Sequence, residues 1–436
     1  MDKMKVVIIC HFSTQEVRDR LPLDNRKLYT KVRKLLGMPT KSVGYGDIAP
    51  WDRAIINDLK QRGDIDLYVI SAHSGLKKPV CQFEMDGVHY WFIRCDFTNM
   101  LQRLVPNDAL WRKLNTLTPK VHRIIDAIKP DIVNLQGNEN SYYSATVLGL
   151  HGYPIYSICQ TIYNNPNRAK YGEVSSKNAT TEMEIFKKVK YFGVYCKMHY
   201  DLLRELSPES YIFKFGYPGT GTLLQPTQTE KVYDFVNFAM GISDKKGYYD
   251  AVKALAIVKN VYPSVKLNLV GGADDIEMAK LTTLIADLEL EKNVVLTPFF
   301  SKQGDMFLHI QKSRYALLPC KLDNVSGTMN QAMQLGLPMI VYKTAGTPKF
   351  NKEKECVLIA EHSSIEDLAA KMLLLMEHPE KAEQLRKNAL EYQKMRAEKI
   401  KSNGDRLVEN YKAVIAHYRD GQVIPQEQLF NPERDD

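Results

Sequence analysis

The feature that most constrains this chain is the alternation running through its second half. "VYDFVNFAM" (232–240), "VKLNLVGG", "NVVLTPFF", "RYALLPC", "LPMIVYK" and "ECVLIA" are rich in β-branched and aromatic residues. Between them lie segments with helical spacing, such as "YYDAVKALAIVKNVYPS", whose apolar residues at 252, 255, 258 and 261 share one face. Repeated strand–helix units of this length predict a parallel sheet covered by helices on both faces. Ser363 and Glu366 have the spacing of a capping box ahead of "LAAKMLLLM", and Pro379 predicts the first turn of the helix that follows.

The first half follows the same pattern with interruptions. "KVVIICHF" reads as a first strand, "APWDRAIINDLKQRG" as a helix entered through Pro50, and "DLYVISAH" as a second strand. "VCQFEMDGVHYWFIRC" predicts a hairpin turning at Asp86-Gly87. "PDIVNLQGNEN", "YPIYSICQTI" and "YFGVYC" predict three more buried strands. A chain of 436 residues exceeds one ordinary core. The Gly, Pro, Thr and Gln content of "GYPGTGTLLQPTQTE" (216–230) marks a linker. We therefore expect an α/β protein of two Rossmann-like, doubly wound domains, 1–216 and 217–404, facing each other across a cleft. A C-terminal helix and tail, 405–436, is expected to return to the first domain. Ligands of such domains bind at the carboxyl ends of the strands.

Several function classes are disfavoured. The seven cysteines form no CxxC pair, and an odd count without a framework suggests reduced, buried thiols. The ten histidines show no HExxH or other compact ligand spacing, so no metal site is expected. No GxGxxG follows strand one, which argues against a nicotinamide dehydrogenase. No segment has the ~18 to 20 continuous apolar residues of a membrane span, and "VVIIC" is too short for a signal-peptide core. A cytoplasmic protein is expected. The net charge of +8 is partly concentrated in "RKLYTKVRKLLGMPTK" (26–41). That stretch is either a solvated helix face or a peripheral contact with an anionic surface at the inner membrane face. Nothing resembles a nucleic-acid module.

The polar stretch "LDNVSGTMNQAMQLGLPMIV" (322–341) lies between two predicted buried strands. Ser326, Gly327 and Thr328 stand where a helix should begin, a place for a phosphate or for ordinary caps. Asp323, with Asn324 beside it, precedes the helix, and Gln331 lies eight residues after Asp323. A carboxylate on the loop can accept hydrogen bonds from sugar hydroxyls, and the Gln carbonyl can reach a ribose diol.

This segment resembles the signature of the family-four retaining glycosyltransferases (glycosyltransferase group 1), which have the GT-B fold. Their pattern places two Glu eight positions apart, followed by Ala-Met and a Gly-Leu-Pro stop. Here Asp323 and Gln331 stand at those positions, ahead of "AM" and "GLP". The resemblance implies that Asp323 lies at the donor sugar and Gln331 at the nucleotide ribose. "GISDKKGYY" (241–249) resembles the family's diphosphate loop, Gly-Arg followed by Lys-Gly. Lys246-Gly247 matches its second part, with Lys245 alongside, but Gly241 falls at or near the Arg position. Without the resemblance, Lys245 and Lys246 read equally well as a solvated loop. Gly271, in "VGGADD", corresponds weakly to the family's Gly-rich turn.

On the first half the resemblance is looser. Gly46 and Asp47 lie in "GYGDIAPW", and Gly137, Asn138, Glu139 and Gln160 follow predicted strands. They are either acceptor-side residues or loop and capping residues, and His11 reads as a structural histidine. The resemblance implies an enzyme: a retaining, metal-independent glycosyltransferase without a cofactor. Its donor would be a UDP- or GDP-linked sugar, and its acceptor a glycan or lipid-linked hydroxyl. Lys246 and Asp323 would carry the catalysis. Gln331 and the missing Arg leave two other readings open, a weakened nucleotide-sugar-binding partner subunit and a GT-B epimerase.

Overall fold

The computed structural model describes residues 3–23, 35, 47–96, 98, 101, 104–105, 107–169, 175–216, 224–239, 241–322, 326–399 and 403–435. They fall into two units, the first holding those within 3–23, 47–216 and 403–435 and the second Leu35 and those within 224–399.

The described residues of the first unit form eight strands: β1 (Met4–Cys10), β2 (Ile65–His73), β3 (Val80–Met85), β4 (Val88–Arg94), β5 (Ile132–Gln136), β6 (Ile155–Ile158), β7 (Tyr191–Val194) and β8 (Tyr211–Lys214). Their order is β3-β4-β2-β1-β5-β6-β7-β8. All neighbours are parallel except the β3–β4 hairpin. Asp86 and Gly87 turn that hairpin at φ 53° and 75°, the left-handed pair that matches strand twist. Strand β1 shows why the sheet is covered twice. Val6, Ile8 and Cys10 enter one core with Leu59 and Tyr411, and Val7 and Ile9 enter another with Ile125 and Ile185. Side chains alternate across a strand, so a continuous apolar run has to be buried on both faces. The helix Asn403–Asp420 belongs to this unit: Asn134 Nδ2 donates to Tyr411 Oη (2.8 Å), and Asn410 Nδ2 to Tyr156 Oη (3.0 Å). Strand β8 escaped the sequence reading. Only four residues long, it is half-buried at both ends and carries no turn signal of its own.

The second unit is a wholly parallel sheet of β9 (Tyr233–Asn237), β10 (Leu267–Val270), β11 (Val294–Thr297), β12 (Ser313–Leu318), β13 (Met339–Tyr342) and β14 (Leu358–Ala360). Their order is β11-β10-β9-β12-β13-β14. The helix Ile365–Glu377 begins one residue later than its sequence suggests. Ser363 adopts φ 61°, and Ser364 is the N-cap, its Oγ accepting from the Asp367 amide at 3.2 Å. The Asp367 carboxylate reaches back to the Glu361 amide (2.8 Å), so the expected Ser363–Glu366 box is not formed. Among the described residues no helix is long and apolar enough to cross a membrane.

Candidate functional site

In the second unit the chain runs from β9 outward to β10 and β11, then returns to the other side of β9 with β12. The order reverses at β9/β12, and ligands of such sheets bind at the carboxyl ends of the strands at a reversal of this kind. After β9 come Gly241 (φ 79°), a 3-10 turn at Asp244–Lys246, and Gly247 (φ 75°), which opens the helix Tyr248–Lys259 without a side-chain cap. After β12, Ser326 caps the helix Gly327–Gln334, accepting from the Met329 amide at 3.2 Å. Two helix N-termini thus follow the two strands at the reversal, and each favours an anion.

The two loops are fixed to one another. Lys321 N–H donates to the Lys245 carbonyl at 2.9 Å. A Cβ on Gly247 would stand 2.2 Å from the Pro319 carbonyl oxygen, so only glycine fits that crossing. Tyr248 Oη lies 2.7 Å from the carbonyl oxygens of both Ala239 and Val270 and ties β9 to β10, beside Gly271.

Of the donor-side residues expected from the sequence, Gly241, Lys245, Lys246, Gly271, Ser326, Gly327, Thr328 and Gln331 follow β9, β10 and β12 in this unit. Lys245 and Lys246 are half-buried, and Gln331 is buried at 9% exposure in the helix Gly327–Gln334. Asp323 and Asn324 lie outside the described residues, as do Gly46 and all of the basic stretch 26–41 except Leu35. Gly241 is more than an absent arginine. At φ 79° its backbone conformation is one that an arginine would adopt only with strain, so the loop is built around glycine.

Sequence reasoning missed Lys321, Asp250 and Asn237. Lys321 Nζ is held by Asp244 Oδ1 (2.8 Å) and Asp250 Oδ1 (3.0 Å), and Asp250 Oδ2 accepts from Tyr342 Oη (2.9 Å). Asn237 is fully buried at the end of β9, and its Nδ2 has no hydrogen-bond partner among the described residues. A lysine after a strand or a polar residue within one carries no periodicity signal.

In the first unit the order reverses at β1/β5, and most of the expected acceptor-side residues follow β5 and β6. Their side chains divide by use. Asn138 is turned inward, donating to Cys159 Sγ (3.3 Å) and accepting from Ser157 Oγ. Asp47 is paired with Arg18 at 2.8 Å, and His11 is against Tyr142, their rings edge to face at 5.5 Å. Gly137 (φ 89°) brings the chain round so that Glu139 and Tyr143 crowd the space a Cβ would fill. Gln160 Nε2 donates to Oδ1 of Asp52 (3.3 Å), a residue in the first turn of the helix Pro50–Lys60 that had no signal of its own.

Burial pushes the Asp52 carboxyl well above its ordinary range, and the charge of Glu139 pushes it further, against the Gln160 hydrogen bond. Glu139 is pushed up to about 7, chiefly by burial and then by Glu182, and its Oε2 has no hydrogen-bond partner among the described residues. The folded chain therefore keeps a proton on Glu139 that the unfolded chain releases above about pH 4.3. The burial costs no stability below that pH, costs more as pH rises towards about 7, and is constant beyond. Glu139→Gln should leave the thermal midpoint nearly unchanged at pH 4. At pH 8 it should raise stability by on the order of 1–3 kcal/mol. Melting curves of both proteins at the two pH values check this.

Comparison with known proteins bears on this geometry. Residues 225–392 match the family model of glycosyl transferases group 1, a stretch lying wholly in the second unit. A sucrose-phosphate synthase from Thermosynechococcus elongatus superposes with a TM-score of 0.67 at 14% identity, over 95% of this chain and 100% of that one. The fold is GT-B. HepE from Anabaena, in complex with UDP and glucose, gives a TM-score of 0.62 at 13% identity, over 94% of this chain and 99% of that one. A trehalose-6-phosphate protein from E. coli, bound with UDP-2-fluoro glucose, gives 0.65 at 9% identity, over 94% and 99%. A comparison with curated protein sequences found no match. The match to glycosyl transferases group 1 thus spans most of the second unit, including the loops after β9 and β12.

Proposed function

We propose that the protein transfers a sugar from a nucleoside diphosphate sugar to an acceptor hydroxyl, with retention of configuration and without a metal. One observation carries the reading. The segment matching glycosyl transferases group 1 is the segment whose sheet reverses at β9/β12, with an anion-favouring helix N-terminus after each strand. Lys246 and the helix start at Ser326–Thr328 stabilise the departing diphosphate. Asp323 orients the sugar, and Gln331 reaches the ribose with neutral hydrogen bonds worth about 0.5–1.5 kcal/mol each. Structural neighbours bound to UDP, or to a UDP-sugar analogue, support a uridine donor over a guanosine one.

The acceptor is a glycan or lipid-linked hydroxyl taken up on the first unit. Asp52, Glu139 and Gln160 would offer it hydrogen bonds at the ends of β5 and β6 and the start of the helix Pro50–Lys60. The enzyme works in the cytoplasm, and the basic stretch 26–41 holds it at the inner membrane face. Neutralising Arg26, Lys27, Lys31, Arg33 and Lys34 should release it from anionic vesicles in a pelleting assay; unchanged pelleting removes the membrane part.

A thermal-shift screen of UDP, GDP, ADP, CMP and their common sugars tests the central reading. A ligand at 100 times its dissociation constant adds about 2.7 kcal/mol of stability. A shift with uridine nucleotides, and turnover unaffected by EDTA, is expected. No shift with any nucleotide rejects the donor site. Donor binding without transfer to any acceptor favours a partner subunit, and donor isomerisation without acceptor favours an epimerase.

A further inference from the structure

We propose that Lys321 is a diphosphate-binding residue of the donor site, and that the Asp244 carboxylate holds the place on it that a phosphate oxygen takes. The inference rests on the donor reading above and adds a residue to it. Its starting point is the turn Asp244–Lys246 after β9, whose Asp244 carboxylate is paired with Lys321 from the loop after β12.

Lys321 supplies a cation to that turn from the other strand. It follows the end of β12, and its backbone N–H is bonded to Lys245, so its main chain is fixed against the diphosphate loop. Its side chain is 9% exposed, and its ammonium sits against both Asp244 and Asp250. The ammonium stays charged. Burial, the largest single influence, works to lower its pKa, but the hydrogen bonds it donates to both carboxylates and their negative charges together outweigh burial and raise it.

Two carboxylates on one ammonium are unequal partners. Asp250 is buried at 4% exposure in the first turn of the helix Tyr248–Lys259, and its second oxygen is taken by Tyr342. It is the fixed counter-ion. Asp244 has a side chain 55% exposed, on the 3-10 turn beside Lys245 and Lys246. An ion pair with so exposed a partner contributes little. It is therefore the partner that a ligand can replace.

The surroundings favour a phosphate over that carboxylate. The helix Tyr248–Lys259 starts at Gly247 with no side-chain cap, so the positive end of its dipole faces the same turn. A phosphate brings more negative charge and more acceptor oxygens than a carboxylate, and Lys binds it as a point charge. Removing the Asp244 charge should therefore strengthen diphosphate binding, the opposite of what loss of a contact residue does.

Calorimetric titration of UDP and of uridine into the wild type, Asp244→Asn and Lys321→Gln tests the proposal. Asp244→Asn should bind UDP several-fold more tightly and uridine unchanged. Lys321→Gln should bind UDP about tenfold more weakly, the loss of roughly one charge-assisted hydrogen bond, with uridine again unchanged. Lys321→Gln leaves Asp250 buried without its cation and can fail to fold; Asp244→Asn changes an exposed side chain and decides the matter alone. Weaker or unchanged UDP binding in a folded Asp244→Asn protein overturns the proposal while the donor reading stands. A wild type that binds no nucleoside diphosphate overturns both.

Discussion

Gly247→Val should destabilise the second unit by about 3 kcal/mol or more, lowering its thermal midpoint by roughly 6–12 °C. Two independent costs combine. The residue sits at φ 75°, a left-handed conformation that a β-branched side chain resists. The added Cβ would also meet the Pro319 carbonyl oxygen at 2.2 Å, and the obstacle is backbone, which cannot rotate away. The loops after β9 and β12 would have to part, opening the Lys321–Lys245 backbone bond. UDP binding should weaken in the same variant. Gly87→Ala is the control: Gly87 has φ 75° as well, but nothing lies within 4 Å of its added Cβ. That change should cost only about 1 kcal/mol. Equal losses in the two variants would show that the Pro319 contact is unimportant.

Asp323→Ala should lower kcat by about 10²–10³-fold, the loss of a group that is worth about 2.7–4 kcal/mol in the transition state. The proposed carboxylate accepts hydrogen bonds from the donor sugar and orients it as the diphosphate leaves. In that role it serves the sugar and not the nucleotide, so UDP affinity should stay within about threefold, while the extra stability that a UDP-sugar confers over UDP should disappear. Steady-state kinetics and paired thermal shifts separate the two effects. Loss of UDP affinity with retained sugar discrimination would move the carboxylate's role from sugar to nucleotide.

The sequence made much of the fold legible. Period and composition located thirteen of the fourteen strands found among the described residues, because a buried parallel strand is a continuous apolar run between helical segments. The Asp86-Gly87 turn and the helices opened by Pro50 and Pro379 were legible because each rests on local backbone chemistry. The Ser363 cap was misplaced by one residue because two adjacent serines offer the same hydroxyl, and only the surrounding loop selects Ser364.

The candidate site was legible where a motif is contiguous. Ser326–Thr328, Lys245-Lys246 and Gly241 each lie on one loop, and their spacing can be read directly from the chain. What the chain could not show is which distant groups meet. Lys321 lies 77 residues from Asp244 and 71 from Asp250, yet its ammonium bonds both. Asp52 and Gln160 lie 108 residues apart, and their hydrogen bond, together with burial and the nearby charge of Glu139, sets the Asp52 carboxyl's pKa. The sequence by itself determined the strand–helix alternation, the turn chemistry and the anion-favouring helix starts, because these are set by neighbours within a few positions. Only the tertiary structure decided the counter-ions, the buried carboxylates and the loop crossing at Gly247. Those depend on strand order, which brings together segments that no local periodicity relates.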